Sequence, residues 1–409
     1  MTAAPPPGRT GTVLALGTAQ TLAWASSYYL PAMLAAPMAR ELGVATPTVF
    51  AAFSMALIVS ALVGPLAGRL IDRHGGRPVL LGTNLLFALG LAALGSAQGP
   101  ATLVVAWLLL GLAMGAGLYE AAFAALVRLY GVDSRNAITG ITLLAGFAST
   151  VGWPLSAWLE VQLGWRGACF VWAGLHLVLG LPLNAMLPRP AAAPVSAPVA
   201  TAVSAANPVA GAAAVPAVTP PPPYTAALLS LVFTLVWFVS TGMAAHLPTL
   251  MQAAGGTLAL AVAVGALVGP AQVAGRLFEF SLLRRVSPLA VARAATLGHP
   301  VGALLLWSVG VPAAAAFAIL HGLGNGILTI AKGTLPLALF GAGGYGARQG
   351  WIALPGRALQ GLAPWLFGLA LERWGAGALG LSAACSLAAC AGLLCLRLPR
   401  AAPARATVS

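Results

Sequence analysis

Three charged side chains, Glu120, Lys332 and Arg357, interrupt stretches that are otherwise apolar. A guanidinium grips a carboxylate through parallel hydrogen bonds, and a carboxyl is suited to picking up and releasing a proton. One acid against two bases gives a net positive set, which favours a small organic anion as ligand and makes Glu120 the candidate proton carrier. Aligning Gly115-Ala-Gly117 with Gly324-Asn-Gly326 places Thr329 opposite Glu120 and Lys332 three residues further on the same helical face, predicting a Glu120–Lys332 pair. Pro355-Gly356 precedes Arg357 and is expected to loosen the helix there. His246 and His321 are further proton-carrier candidates. Asn325, Gln20, Tyr28 and Tyr29 are candidates for hydrogen bonding to a small-molecule substrate, with helix-to-helix bonding as the plainer alternative.

The elements that must position these residues are apolar helices. Of the 409 residues, 60% are hydrophobic and 7% charged, with a mean hydropathy of +0.93. A soluble domain carries about a quarter charged residues, so lipid must be the main solvent. Stretches long enough to cross a bilayer, about 20 residues each, run roughly over 11–36, 47–70, 79–97, 101–128, 136–160 and 167–187. A second six run over 224–250, 257–280, 288–309, 312–339, 348–370 and 376–397. The expected fold is an all-α membrane protein of twelve transmembrane helices in two six-helix bundles, 1–187 and 224–409. An Ala/Pro-rich linker, 188–223, joins them. The first apolar segment is too long for the core of a signal peptide and is expected to stay attached.

The net charge of +13 is topological. With the N-terminus placed in the cytoplasm, 15 of the 20 Lys and Arg fall on that side and 3 on the other (Arg40, Arg166 and Arg373), while Lys332 and Arg357 lie within spans. This is the positive-inside pattern. It removes nucleic acid as a partner, leaves the lipid bilayer, and places both termini in the cytoplasm of a bacterial inner (plasma) membrane. Cys169, Cys385, Cys390 and Cys395 lie in apolar runs without the paired spacing of a zinc site, so no metal is expected.

The halves echo each other. Ala-Gly-Arg-Leu-Ile-Asp at 67–72 closes the second span, and Ala-Gly-Arg-Leu-Phe-Glu at 274–279 closes the eighth. Between spans two and three the chain reads Gly68-Arg69-Leu70-Ile71-Asp72-Arg73-His74-Gly75-Gly76-Arg77-Pro78. This resembles the signature loop of the major facilitator superfamily, Gly-x-Leu-x-Asp-Arg-x-Gly-Arg-Arg, with Gly76 where the first basic residue of the final pair stands. The resemblance implies a secondary transporter working by alternating access. It also implies a conformational gate of Gly68, Asp72, Arg73, Gly75, Arg77 and Arg128, whose charge network latches one end, with a second-half copy in Gly275, Arg276 and Glu279.

Two other family motifs depart from pattern. The fourth span has Trp107 where proton-coupled drug exporters carry Arg, and the fifth has Gly152-Trp153-Pro154 where they carry a Gly-Pro pair. The monocarboxylate and oxalate/formate porters place an Arg in helix eight at the position of Ala271-Gln272 here. Gly341-Ala-Gly343-Gly-Tyr-Gly346 matches a dinucleotide fingerprint but follows a span rather than a strand, and no Walker A sequence occurs, so nucleotide is not expected. With seven acids in the chain, an enzyme has little to build with. The expectation is a monomeric transporter for an organic anion, with a proton as coupling ion and no other cofactor. A proton-driven drug exporter and a non-transporting membrane sensor remain the alternatives.

Overall fold

The computed structural model describes residues 8–188, 221–281 and 285–398. These form α1 (Arg9–Ser26), α2 (Leu30–Glu41), α3 (Thr46–His74), α4 (Gly76–Gly95), α5 (Pro100–Gly117), α6 (Tyr119–Tyr130), α7 (Arg135–Ala145), α8 (Ala148–Leu175) and α9 (Leu181–Ala185). The second half contributes α10 (Thr225–Ala253), α11 (Leu258–Ser281), α12 (Pro288–Val309), α13 (Ala314–Phe340), α14 (Tyr345–Trp374) and α15 (Ala378–Cys395). No strand occurs among the described residues. The linker expected at 188–223 lies almost wholly outside them.

Among the described residues the fifteen helices make twelve passes, several of which are broken or joined for local reasons. The first pass divides into α1 and α2 at Ser27–Tyr29, where the hydroxyls of Ser26 and Ser27 turn back onto the carbonyl of Ala23 and compete with the helical ladder. The fourth divides into α5 and α6 at Leu118, held extended (φ −88°, ψ −164°) after the flexible Gly115-Ala-Gly117. The fifth comprises α7 and the first part of α8. Gly164, at φ 70°, then separates it from the sixth. Such a conformation is natural only to glycine. On length and composition alone seven stretches suffice to cross a membrane, and one of them, Pro100–Ala185, contains three passes.

Each half is pinned internally by a buried polar crossing centred on a histidine. In the first, His176 Nε2 lies 2.8 Å from Ser26 Oγ, and its Nδ1 lies 2.9 Å from Asn84 Oδ1, tying α1 and α4 to the sixth pass. In the second, His299 Nδ1 lies 3.0 Å from His321 Nδ1, and its Nε2 lies 2.9 Å from Ser382 Oγ, tying α12 to α13 and α15. Around these points the cores are apolar side chains and glycine contacts, as expected where close backbone packing rather than water exclusion drives helix association.

The halves meet along two seams, α3 and α6 against α14 and α7 against α11 and α13. Between them lies a cavity of about 1010 Å³. Its walls include Phe50 near the start of α3 and Leu247 near the end of α10, whereas the helix ends bearing the Asp72 and Glu279 motifs are closed. The cavity therefore opens away from the motif end.

Candidate functional site

The charged residues of the cavity are brought together by the break at Leu118. It restarts the helix at Tyr119, so Glu120 sits in the first turn of α6, where the exposed N–H groups favour a carboxylate. Glu120 Oε2 accepts from Arg357 Nη2, an ion pair that crosses from one half to the other. Arg357 also donates to Ser60 Oγ of α3 at 3.2 Å. The Glu120–Lys332 pair predicted from an unbroken helical register does not form. The turn at Leu118 redirects Glu120 to α14, and the Lys332 ammonium instead lies 4.5 Å from the centre of the Trp237 ring. The Arg357 guanidinium faces the same ring at 6.0 Å. Nor does Pro355-Gly356 loosen its helix: α14 runs unbroken from Tyr345 to Trp374. Gly356 instead lets α14 approach α10, since a methyl there would collide with the Trp237 ring.

Arg276, expected as part of a motif copy near the helix end, lines the cavity. It is 7% exposed, its Nη1 donates to the Thr142 carbonyl at 3.3 Å, and its Nε is buried without a partner. The floor of the cavity thus carries Arg276, Lys332 and Arg357 against Glu120. Its walls are aromatic: Trp24, Tyr28, Phe53, Tyr119, Phe123 and Trp237. Trp24 lies 4.8 Å from Tyr119, which stacks on Phe123 at 5.4 Å.

Of the weaker candidates, Tyr28, Tyr29, Asn325 and His321 line the cavity. The Tyr28 hydroxyl accepts from Gln360 Nε2 at 2.9 Å, a further link between halves. His246 packs on Phe367, with ring centres 5.9 Å apart, and is not part of the cavity wall. Gln20 donates to the Gly117 carbonyl at 2.7 Å, satisfying the backbone at the end of α5 and holding the break rather than facing the cavity. Sequence reasoning missed Trp237, Ser60, Gln360 and His299. Gln360 was findable, being three residues from Arg357 on one helical face. Ser60 and Trp237 carry no signal apart from the fold that places them beside Arg357.

The motif end is sealed twice. Asp72 accepts from the backbone N–H groups of Gly346 and Ala347, each at 2.9 Å, at the start of α14. A free helix N-terminus is suited to a carboxylate. Glu279 accepts from Arg135 Nη2 at 2.8 Å and from Thr139 Oγ1 at 3.3 Å, both on the first turns of α7. The latch expected of Arg73, Arg77 and Arg128 takes a different form. No ion pair joins Asp72 to any of them among the described residues; Arg73 is exposed and the Arg128 Nε is buried without a hydrogen-bond partner.

Glycines let the backbones touch at this end. A methyl on Gly68 would strike the Gly346 carbonyl, one on Gly350 would lie 2.5 Å from the Pro65 Cα, and one on Gly275 would lie 2.5 Å from the Leu323 carbonyl oxygen. Gly75 turns the chain at φ 84°, and Gly76 leaves no room for the side chain the family motif would place there, because Ala125 packs against it. The glycine run at 341–346 is a turn between α13 and α14, with Gly341 at φ 72° and Gly344 at φ 60°. Asp72→Asn is expected to weaken the α14 cap by about 1–2 kcal/mol. It should speed hydrogen exchange at Gly346 and Ala347 by roughly tenfold, and unchanged exchange would show that Asp72 is not what holds this end.

Comparisons with known proteins agree with this architecture. The family model described as Major Facilitator Superfamily matches residues 16–306. The multidrug resistance protein MdtH of Aeromonas hydrophila is 30% identical over 150 residues, covering 36% of this chain and 37% of that protein. An uncharacterized 38 kDa protein of Thermoproteus tenax is 32% identical over 159 residues, 39% of this chain and 41% of its own. The chain therefore spans about two fifths of the length of the curated relatives it matches. Among solved structures, the human organic anion transporter MFSD10 (TETRAN) superposes with a TM-score of 0.69 at 18% identity, covering 95% of this chain and all of the other. The outward-conformation structure of the transporter FucP gives 0.67 at 15% identity, covering 93% and 97%. With the family model spanning most of the chain, and with two six-pass halves enclosing a cavity, the chain belongs to the Major Facilitator Superfamily of membrane transporters.

Proposed function

We propose that this protein is a secondary active transporter that carries a small organic anion across the bacterial inner membrane by alternating access, with a proton as the coupled ion. The observation that carries the reading is the cavity floor, where three cations face one carboxylate at membrane depth, beneath aromatic walls. Charge in that position is retained for a ligand or an ion path. In alternating access the site stays near the middle while the two halves rock about it. The structure is then the state open away from the cytoplasm, with the Asp72 and Glu279 latches closing the cytoplasmic side. Cargo entering from the open end meets the cations of the floor, and Glu120 is the group that takes up the proton.

Counterflow in proteoliposomes over a panel of organic acids, cations and neutral drugs tests the reading. An anion should exchange, with at least tenfold preference over cations of similar size. Exchange of cations or neutral compounds without any anion refutes it and favours the second reading, a proton-driven exporter of toxic compounds. The resemblance to a relative named as a multidrug resistance protein and the breadth of the aromatic wall support that second reading.

A further inference from the structure

The cavity floor holds more positive charge than its own carboxylate can neutralise. Building on the organic-anion reading, we propose that the cargo is a dianion, a molecule with two carboxylates or an equivalent pair of anionic groups, one met by Arg276 and the other by Lys332.

The charge of Arg357 is already matched by Glu120. That leaves Arg276 on α11 and Lys332 on α13, 7% and 8% exposed, and neither forms an ion pair among the described residues. Arg276 has one long bond to a carbonyl and a buried Nε that donates to nothing. Lys332 has the face of Trp237, which attracts a cation without neutralising it. The chain has no acid to spare for them. Asp72 is held by the start of α14, Glu279 by Arg135 and Thr139, and Glu41 by Arg166 at the far end of α2. Asp133, Glu160 and Glu372 are not part of the cavity wall.

Two unmatched cations in one buried floor repel each other and are poorly solvated. A single carboxylate would leave one of them unmet. Because the two stand on different helices, a cargo with an anionic group at each end engages both at once, and it also draws α11 and α13 to a common ligand. The guanidinium would take its carboxylate through paired N–H donors and the ammonium would act as a point charge.

The test is counterflow with saturated dicarboxylates of four to six carbons against monocarboxylates of the same length, in the parent protein and in Arg276→Gln and Lys332→Gln. In the parent, dicarboxylates should compete at concentrations roughly tenfold lower or less, the advantage of one added charge-assisted contact. In each Gln variant the ratio should fall below about threefold. Arg276→Lys and Lys332→Arg, which keep the charge, should retain most of the preference. The ratio is the readout because a merely structural role would depress both classes alike. Equal competition by the two classes in the parent, or an unchanged ratio in both Gln variants, overturns the dianion proposal while leaving the anion reading intact. If neither class exchanges, it is the anion reading that falls.

Discussion

Arg357→Ala is expected to reduce transport on the order of 100-fold or more, because it strips Glu120 of its partner at membrane depth. Removing one member of a buried, hydrogen-bonded ion pair is worth roughly 3–5 kcal/mol, and here the same side chain also holds Ser60, so three helices lose a common tie. Arg357→Lys should recover less than a tenth of the activity, since one ammonium on a shorter reach cannot serve both Glu120 and Ser60 as a forked guanidinium does. Glu120→Gln separates binding from coupling. It keeps a neutral acceptor of the same shape, so downhill exchange should continue, while uphill uptake driven by an imposed pH gradient should vanish. The measurement is paired, counterflow and gradient-driven uptake in the same vesicle preparation. Arg357→Ala activity within threefold of the parent would remove Arg357 from the site, and intact gradient-driven uptake in Glu120→Gln would remove Glu120 as the proton carrier.

The second large effect is predicted at Gly68. A valine there cannot coexist with the Gly346 carbonyl, which a bare methyl would already strike. Both neighbours are backbone and cannot swing aside. Relief requires α3 and α14 to separate, so Gly68→Val should hold the motif end open and abolish transport while the protein remains folded. Spin labels on cysteines replacing Arg73 and Gly343, both exposed, report the distance across this end. The parent should show a short-distance population that Gly68→Val loses entirely. A variant that keeps that population and transports at more than half the parent rate would mean that the contact is not a requirement of closure.

What the sequence made legible follows from what is periodic or forbidden in it. The run lengths of apolar residues and the repeated Ala-Gly-Arg-Leu segment anticipated the twelve passes, and the Gly68–Asp72 loop pointed to the family. Those features are local, so no tertiary information was needed. The pairing of Glu120 was misread because a residue's facing is set by every backbone angle before it, and one extended residue at Leu118 resets the register. Pro355-Gly356 was misread in the opposite sense, since a helix packed on both sides keeps its course over a residue pair that would weaken it alone. Arg276 was placed at the motif end by analogy with Arg69, yet Arg69 is exposed while Arg276 is buried against Thr142. A repeat in sequence does not give both copies the same surroundings. Asp72 carries a similar lesson: its partner is backbone, and no choice of residue type at 346 or 347 announces that.

The bareness of the α3–α14 seam has a consequence for how easily the protein lets go of itself. Backbone lies on backbone through Gly64, Gly68, Gly346 and Gly350, so glycine rather than bulky side chains makes the contact there. In lipid, apolar burial would add little adhesion anyway. Such a seam closes tightly without a large apolar side-chain interface. The hold between the halves rests on a few directional bonds, those of Asp72 at this seam, of Glu279 at the α7–α11 seam, and of Arg357 to Ser60 and Glu120. A cargo that binds one state better than the other by only a few kcal/mol can therefore tip the balance between the two states, and a barrier built in this way can be impermeable when shut and still cycle quickly.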